Sequence, residues 1–198
     1  MLFECLKLNI EVTDEHFNAI YPDWIRDQAR RHFTPVEVAK LAASYLAEKP
    51  GTRVLDIGSG SGKFCMVGAV TTQGHFTGVE YRPPLVELSN SLLSHYRIPR
   101  VSFICSNITD IDFKAYDAFY FFNSFQEQID STARIDQKVE TGLDLYERYH
   151  TYISEQLNKA PKGTRLATYW GLEDRIPTAY ALQFTLHNGL LKLWKKIG

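Results

Sequence analysis

The sequence lacks several features that would place it in a specialised class of protein. It has no long uninterrupted run of apolar residues, so we expect no membrane-spanning helix. Neither sign of charge predominates, because 22 lysines and arginines stand against 23 aspartates and glutamates. This balance gives no reason to expect a nucleic acid or a membrane surface as partner. The three cysteines, at positions 5, 65 and 105, are odd in number and far apart, so no disulfide framework is predicted.

Patterns of metal ligands are also missing. No C-x-x-C pair occurs and no cysteine has a histidine at ligand spacing, so we predict no metal site. None of the six histidines is predicted to be catalytic. They are His16, His32, His75, His95, His150 and His187.

Near the amino terminus Glu4 and Lys7 interrupt the apolar residues, so no signal peptide is predicted and we expect a reducing, cytoplasmic location.

The chain length favours one domain. With 198 residues the chain can bury a substantial core, but it is too short for two ordinary domains. We expect a single domain, 1–198, made of an N-terminal helical segment, 1–33, and a core, 34–198. Within the first segment, 11–31 predicts one or two short helices broken near Pro22, which can pack on the core as amphipathic helices with a solvated basic face.

The most informative stretch is 54–80. Its first residues, V-L-D-I, predict a short buried strand, which is followed by a glycine turn, 58–62, and by a helix that begins at Lys63. A phosphate-binding P-loop needs G-x-x-x-x-G-K-[ST], but Ile57 and Phe64 occupy two of its required positions. A dinucleotide fingerprint needs G-x-G-x-x-G, but Lys63 stands where its third glycine belongs. Both phosphate-binding interpretations therefore fail.

What remains is the pattern D-x-G-x-G-x-G from Asp56 to Gly62, with Glu80 at the end of the next predicted strand. The Glu80 carboxylate can accept both hydroxyls of a ribose, so the pattern suits a nucleoside that carries no pyrophosphate. At this point the sequence resembles the class I S-adenosylmethionine-dependent methyltransferases, whose first motif matches 54–62 and whose ribose-binding acid matches Glu80. The resemblance spans 34–170 in order of elements. It implies S-adenosyl-L-methionine as the cofactor and makes the N-terminal segment a lid or a substrate wall.

Strand and helix signals alternate through the rest of the chain. Thr34-Pro35-Val36-Glu37 predicts a capping box that begins a helix ending near Glu48. Further parallel strands are predicted at 76–79, 101–105, 116–122 and 164–170, with a helix from Pro83 and a long helix from Val139 to Leu157. Asn188-Gly189 predicts a hairpin between 178–187 and 190–197. The order predicts an α/β three-layer sandwich with a Rossmann-like, seven-stranded, mostly parallel sheet that ends in an antiparallel hairpin.

Ligands of parallel sheets bind beyond the carboxyl ends of the strands. This rule and the resemblance together nominate the cofactor-binding residues. They are Asp56, Gly58, Ser59, Gly60, Gly62, Glu80, Tyr81, Asn107, Ile108 and Asn123. By resemblance Asn107 and Ile108 contact the adenine; many relatives carry Asp at the first of these positions, and Asn keeps a side-chain acceptor.

The end of the fourth strand lies beside the transferable methyl group in this family. Asn123 is the best candidate at this position for a catalytic role, because it can accept a hydrogen bond from an amine or position an acceptor oxygen. An equally good interpretation is that Asn123 is an ordinary turn residue that ends the strand. The predicted substrate-facing residues are Phe125, Glu127, Arg134, Tyr169 and Trp170. The segment lacks both prolines of the N/D-P-P-Y/F motif, which argues against methylation of nucleic-acid bases.

These observations predict an enzyme that transfers a methyl group from S-adenosylmethionine to a small molecule or a protein side chain. Two alternatives stay open. One is a non-catalytic module that binds S-adenosylmethionine, and the other is a nucleotide oxidoreductase on a Rossmann-like sheet. The second is opposed by Lys63 at the fingerprint's third glycine and by the terminal hairpin.

Overall fold

A central sheet organises the structure, a computed structural model that describes residues 1–27, 33–122, 142–171 and 173–198. Its strands are β1 Arg53–Ile57, β2 His75–Glu80, β3 Val101–Cys105, β4 Ala118–Phe122, β5 Arg165–Tyr169, β6 Tyr180–Leu186 and β7 Leu191–Lys196. Their order is β3-β2-β1-β4-β5-β7-β6. Strands β1 to β5 pair with one another in parallel, whereas β7 is antiparallel to both β5 and β6. The predicted fold class is confirmed.

Helices flank the sheet and bury both of its faces. The α-helices are α1 Leu2–Lys7, α2 Asp14–Asn18, α3 Asp23–Arg26, α4 Val36–Leu46, α5 Lys63–Thr71, α6 Pro83–Tyr96 and α7 Leu143–Lys159. Two separate apolar clusters lie on the two faces, because neighbours in a strand point in opposite directions. In β1, Val54 belongs to the cluster beneath α4 and α5, and Leu55 belongs to the cluster beneath α7.

The start of α4 differs from the prediction. Thr34 was expected to cap this helix through a capping box, but its hydroxyl instead lies 2.9 Å from the hydroxyl of Tyr120, buried in the core. The cap comes from a distant residue, since the backbone N–H of Val36 donates to the carboxylate of Asp14 at 2.9 Å. The capping-box prediction is therefore wrong, because tertiary contacts replace the local ones.

Short helices and turns occupy the N-terminal segment and one of the links between strands. Helices α2 and α3 confirm the two short helices predicted near Pro22, which is the N-cap of α3. The link between β3 and β4 contains two short 3-10 turns, Ile108–Asp110 and Phe113–Ala115. Helix α7 begins at Leu143; Val139, which was predicted to belong to it, lies outside the described residues.

The C-terminal hairpin is confirmed, and the predicted Asn188-Gly189 lies in the loop 187–190 that joins its strands. His187, Asn188 and Gly189 have left-handed φ values of 49°, 56° and 89°. The N–H groups of Gly189 and Leu190 close two overlapping turns onto the carbonyls of Leu186 and His187, at 3.1 and 3.2 Å. Two consecutive left-handed residues match a type I′ turn, which suits the twist of a hairpin. The turn lies at the carboxyl edge of the sheet, because Tyr169 at the end of β5 pairs with Leu191 at the start of β7.

The described ranges contain no helix with the length and apolar content needed to cross a lipid bilayer. The three cysteines form no disulfide; Cys65 is buried and Cys105 is exposed.

Candidate functional site

The glycine turn, 58–62, joins β1 to α5 and is fixed to the neighbouring strand. The N–H groups of Gly58 and Ser59 both donate to the carbonyl of Val79, at 3.0 and 2.9 Å. Gly58, Gly60 and Gly62 have φ values of 77°, 53° and 81°, a region that costs other residues about 1 to 2 kcal/mol. The alternating glycines are thus explained by backbone conformation, and the turn is held at the carboxyl ends of β1 and β2.

Two of these glycines differ in what surrounds them. A Cβ atom at Gly60 would meet no atom within 4 Å, so this part of the backbone borders open space. A Cβ atom at Gly62 would clash with the ring of Phe103 from β3. Gly60 therefore leaves room for the close approach of a ligand, whereas Gly62 is required by packing.

Glu80 closes the turn from the end of β2. Its carboxylate accepts the N–H of Gly60 at 3.1 Å and the N–H of Arg82 at 2.9 Å. The guanidinium of Arg82 lies 3.6 Å from the same carboxylate, and both side chains are buried. Hydrogen bonds to an ionised carboxylate are about twice as strong as neutral ones. Glu80 is therefore fixed in position at the edge where a ribose is predicted to bind.

Asp56 lies on the protein side of the turn. Its carboxyl is buried and receives a hydrogen bond from the thiol of Cys65 at 3.4 Å. Burial, opposed by the Cys65 contact and reinforced by the charge of Glu80, raises the pKa of Asp56 from 3.8 to about 7. This buried position, at the end of the strand that leads into the turn, supports a role in ordering the turn.

Three more of the predicted cofactor-binding residues follow β2 and β3. Tyr81 is 57% exposed and directly follows the acid. Asn107 uses its side chain within the protein: Oδ1 accepts from the N–H and the hydroxyl of Thr109, and Nδ2 donates to the hydroxyl of Tyr149 at 3.1 Å. Ile108 is buried. Tyr149, from α7, was not predicted, and a 3.6-residue periodicity gives no signal for such a contact.

The hydroxyl of Ser59 is the remaining polar group of the turn that was predicted to bind cofactor. It has no hydrogen-bond partner among the described residues. Its side chain lies against Gly78, where an added Cβ atom would come within 2.6 Å of Ser59. A residue larger than glycine at position 78 would therefore displace the turn.

The N-terminal segment is tied to the glycine turn by residues that were not predicted. Lys63, the first residue of α5, is buried, and its ammonium donates to Asp14 at 2.5 Å and to Asn18 at 2.9 Å. The same ammonium lies 5.2 Å from the ring centroid of Phe17. The hydroxyl of Tyr21 donates to the carbonyl of Ser61, at 3.2 Å. Helix α2 thus packs directly beside the turn.

At the ends of β4 and β5 a second group of residues forms what we call the hairpin side: Phe122, Tyr169, Trp170 and His187. Phe122 and Tyr169 are paired across the strands, with ring centroids 5.0 Å apart. His187 Nδ1 lies 3.4 Å from the Tyr169 hydroxyl. Trp170 is 60% exposed. We call the turn 58–62 together with Glu80 the loop side.

The structure brings together the predicted residues of the loop side and leaves others untested. Asp56, Gly58, Ser59, Gly60, Gly62, Glu80 and Tyr81 lie at the ends of β1 and β2. Asn123, Phe125, Glu127 and Arg134 lie outside the described residues. The described ranges contain no cluster of three or more His, Cys, Asp or Glu side chains arranged to hold a metal ion.

Solved structures share this fold at low sequence identity. TrmN from Thermus thermophilus is 16% identical with a TM-score of 0.64, and the alignment covers 88% of this chain and 52% of TrmN. The [4+2]-cyclase SpnF is 20% identical with a TM-score of 0.51, covering 67% of this chain and 43% of the cyclase. An RNA methyltransferase from Salinibacter ruber, in complex with S-adenosyl-L-homocysteine, is 16% identical with a TM-score of 0.56, covering 82% and 91%.

This chain spans about half the length of TrmN and of the cyclase. No curated protein sequence matches it. The sequence model of a family described as a methyltransferase domain matches residues 48–147, which is half of the chain and includes β1 to β4 with the whole loop side. The chain therefore belongs to the methyltransferase domain family, within the class I superfamily of S-adenosylmethionine-dependent methyltransferases.

Proposed function

We propose that the protein transfers a methyl group from S-adenosyl-L-methionine, bound at the loop side, to an acceptor bound at the neighbouring ends of β4 and β5. The acceptor is a small molecule or a protein side chain. The proposal rests on the position of Glu80. Its buried carboxylate is fixed by the N–H of Gly60, and the backbone of Gly60 borders open space. A ribose needs this arrangement, in which a fixed acceptor of two hydroxyls lies next to backbone with no side chain.

The residues of the loop side fit this cofactor. Glu80 would accept the ribose hydroxyls, and the exposed ring of Tyr81 would pack against the adenine. Gly60 would let the amino-acid part of the molecule approach the turn. Asn107 would meet the adenine with its backbone, since its side-chain groups bond to Thr109 and Tyr149. When bound, the cofactor supplies an activated methyl group.

The protein's own contribution to such a reaction is mainly the placement of the acceptor. Holding two reactants in line at about 3 to 3.5 Å removes much of the entropic barrier, and a base is needed only when the acceptor must lose a proton. The balance of charge in the chain, 22 positive against 23 negative residues, favours a small acceptor over a nucleic acid.

A non-catalytic module that binds the same cofactor is the alternative that the sequence left open. The cyclase SpnF shares this fold, but its name describes a catalysed reaction, so it does not favour a module without activity. The oxidoreductase alternative has less support, since a dinucleotide would require the glycine that Lys63 replaces.

Calorimetry on Glu80→Gln tests whether the carboxylate of Glu80 binds the cofactor. This variant keeps the size of the side chain and removes its charge, and we expect S-adenosylmethionine to bind roughly ten- to a hundredfold more weakly. Glu87→Gln is the matched control, because Glu87 is exposed on the adjoining helix α6. A folded Glu80→Gln variant with unchanged affinity would show that the ribose binds elsewhere.

A further inference from the structure

The hairpin side has features that the proposed function does not use. We propose that it binds a planar aromatic alcohol, that Trp170 stacks on the acceptor ring, and that His187 takes the proton of the acceptor hydroxyl. The inference rests on the proposed function, since it names the acceptor class for the same site.

The hairpin side lies at the carboxyl edge of the sheet. Phe122 ends β4, the neighbour of β1, and Tyr169 ends β5, the next strand along the sheet. The backbone of Trp170 is fixed by donating its N–H to the carbonyl of Leu190 at 3.0 Å. The hairpin turn is thereby held at the same edge as the glycine turn. In open α/β sheets this edge is where ligands bind.

Trp170 is held in a costly conformation. Its φ is 52°, in the left-handed region that bulky residues avoid, and its side chain is 60% exposed. A residue held in such a region costs on the order of 1 to 3 kcal/mol, and outliers of this kind cluster at ligand-binding positions. Exposure of a large indole adds a second cost. Both costs are explained when a flat ligand covers the ring.

His187 is placed to act on a hydroxyl. Its half-buried imidazole belongs to the hairpin turn, and Nδ1 contacts the Tyr169 hydroxyl at 3.4 Å. Burial and the charge of Asp14 raise the pKa of Tyr169, which keeps this hydroxyl protonated. Either group can donate in this contact, and the proposal requires the tautomer in which Nδ1–H donates to the Tyr169 oxygen, because Nε2 then has a lone pair that can accept a proton. The contact between His187 and Tyr169 could not be predicted from the sequence, because the two residues are 18 positions apart.

The acceptor class follows from these groups. The rings of Phe122, Tyr169 and His187 are in contact in a row, and Trp170, which follows Tyr169 in the chain, exposes its indole. An exposed indole at the end of this row favours a flat ring over a flexible chain. A titratable imidazole is useful only when the acceptor must lose a proton. In the reaction the acceptor oxygen forms a bond to the methyl carbon, the carbon–sulfur bond breaks with its electron pair left on sulfur, and the proton passes to His187 and then to water.

Binding of a matched set of probes tests the ring contact. The probes are 4-methylphenol, its saturated counterpart 4-methylcyclohexanol and its methyl ether 4-methylanisole, each titrated by calorimetry in the presence of S-adenosylhomocysteine. We expect the phenol to bind about tenfold more tightly than the cyclohexanol, and Trp170→Gly to abolish that preference. The variant should keep or raise the melting temperature, because glycine removes the strain at a positive φ.

Phe184→Ala is the control for exposed aromatic area, since Phe184 is 57% exposed on the edge strand β6. It should leave the preference unchanged. Equal binding of the phenol and the cyclohexanol, or a preference that survives in Trp170→Gly, would overturn the aromatic site.

The hydroxyl contact is tested separately. His187→Gly removes the imidazole, and Asn188→Gly makes the same backbone change at the adjacent left-handed position. The wild type and Asn188→Gly should prefer the phenol over its methyl ether, and His187→Gly should lose that preference. A preference retained in His187→Gly would contradict the role of His187. In every protein S-adenosylhomocysteine is titrated first: failure to bind it would refute the proposed function, whereas normal binding with no phenol preference would refute the acceptor site alone.

Discussion

The loop side and the hairpin side occupy one edge of the sheet, yet they are built in different ways. On the loop side, neighbouring strands and a continuous turn supply the contacts, and Gly60 and Glu80 are joined by a backbone-to-carboxylate hydrogen bond. On the hairpin side, residues from β4, β5 and the turn before β7 meet through side chains. Under the proposed function, this difference means that backbone geometry fixes the binding of the methyl donor, whereas side chains that can be replaced singly select the acceptor.

The largest effect is expected from Asp56, the buried acid of β1 that precedes the loop side. The native pKa of Asp56, about 7, lies above its ordinary value of 3.8, so between these values the folded protein keeps a proton that the unfolded chain has lost. The free energy of unfolding should therefore fall as pH rises from 4 to 7, by an amount on the order of 4 kcal/mol at roughly 1.4 kcal/mol per pKa unit. Asp56→Asn should remove this slope in denaturant titrations.

Asp117→Asn gives a control of opposite sign. The guanidinium of Arg53 holds the pKa of Asp117 below its ordinary value, so the stability that this group supplies is lost as pH falls toward and through that lowered pKa. Asp117→Asn should therefore change the acid side of the profile and leave the range from 5 to 7 intact. An unchanged slope in Asp56→Asn would mean that Asp56 is ionised in the folded protein and that its pKa is not raised.

Gly60→Ala tests the claim that the backbone at Gly60 determines how the methyl donor binds. The added methyl group would point into open space, so the fold should lose only about 1 kcal/mol from strain, whereas S-adenosylmethionine should bind roughly a hundredfold more weakly. Gly51→Ala is the matched control, because Gly51 also has a positive φ and open surroundings, in the turn before β1. Equal affinities in the two variants would show that no ligand approaches Gly60.

A smaller effect is expected where the N-terminal segment meets the loop side. Asp14→Asn leaves the buried ammonium of Lys63 without a charged partner, and we expect a loss of about 1 to 2 kcal/mol in the free energy of unfolding. Lys63→Met fills the same space between Phe17 and Phe33 and leaves a half-exposed carboxylate that water can solvate, so it should cost less. A larger loss in Lys63→Met than in Asp14→Asn would contradict this reading of the pair.

The same comparison explains what could be predicted from the sequence. The spacing of Gly58, Gly60, Gly62 and Glu80 is local, and a strand, a turn and a strand place these residues together in any parallel sheet. The buried position of Asp56 follows from the two-residue period of a strand, because Leu55 and Ile57 face the opposite core. The hairpin was predictable for a similar reason, since left-handed turn residues leave a clear signal.

Contacts between distant side chains left no such signal. Lys63 bonds to a carboxylate 49 positions earlier, and no periodicity indicates which of the acidic residues it meets. The capping-box prediction was wrong for the same reason. Asp14, which is distant in the sequence, supplies the cap of α4, and Thr34 contacts Tyr120 instead. His187 appeared to be one of six scattered histidines until the fold placed it beside Tyr169.

The most direct test of the central claim is calorimetry on the wild-type protein with S-adenosylmethionine, S-adenosylhomocysteine and a nicotinamide dinucleotide. A site made of Gly60 and Glu80 should bind both sulfur compounds with similar, micromolar-range affinity, about −8 kcal/mol, and should not bind the dinucleotide. Tight binding of the dinucleotide, with no binding of either sulfur compound, would contradict the account.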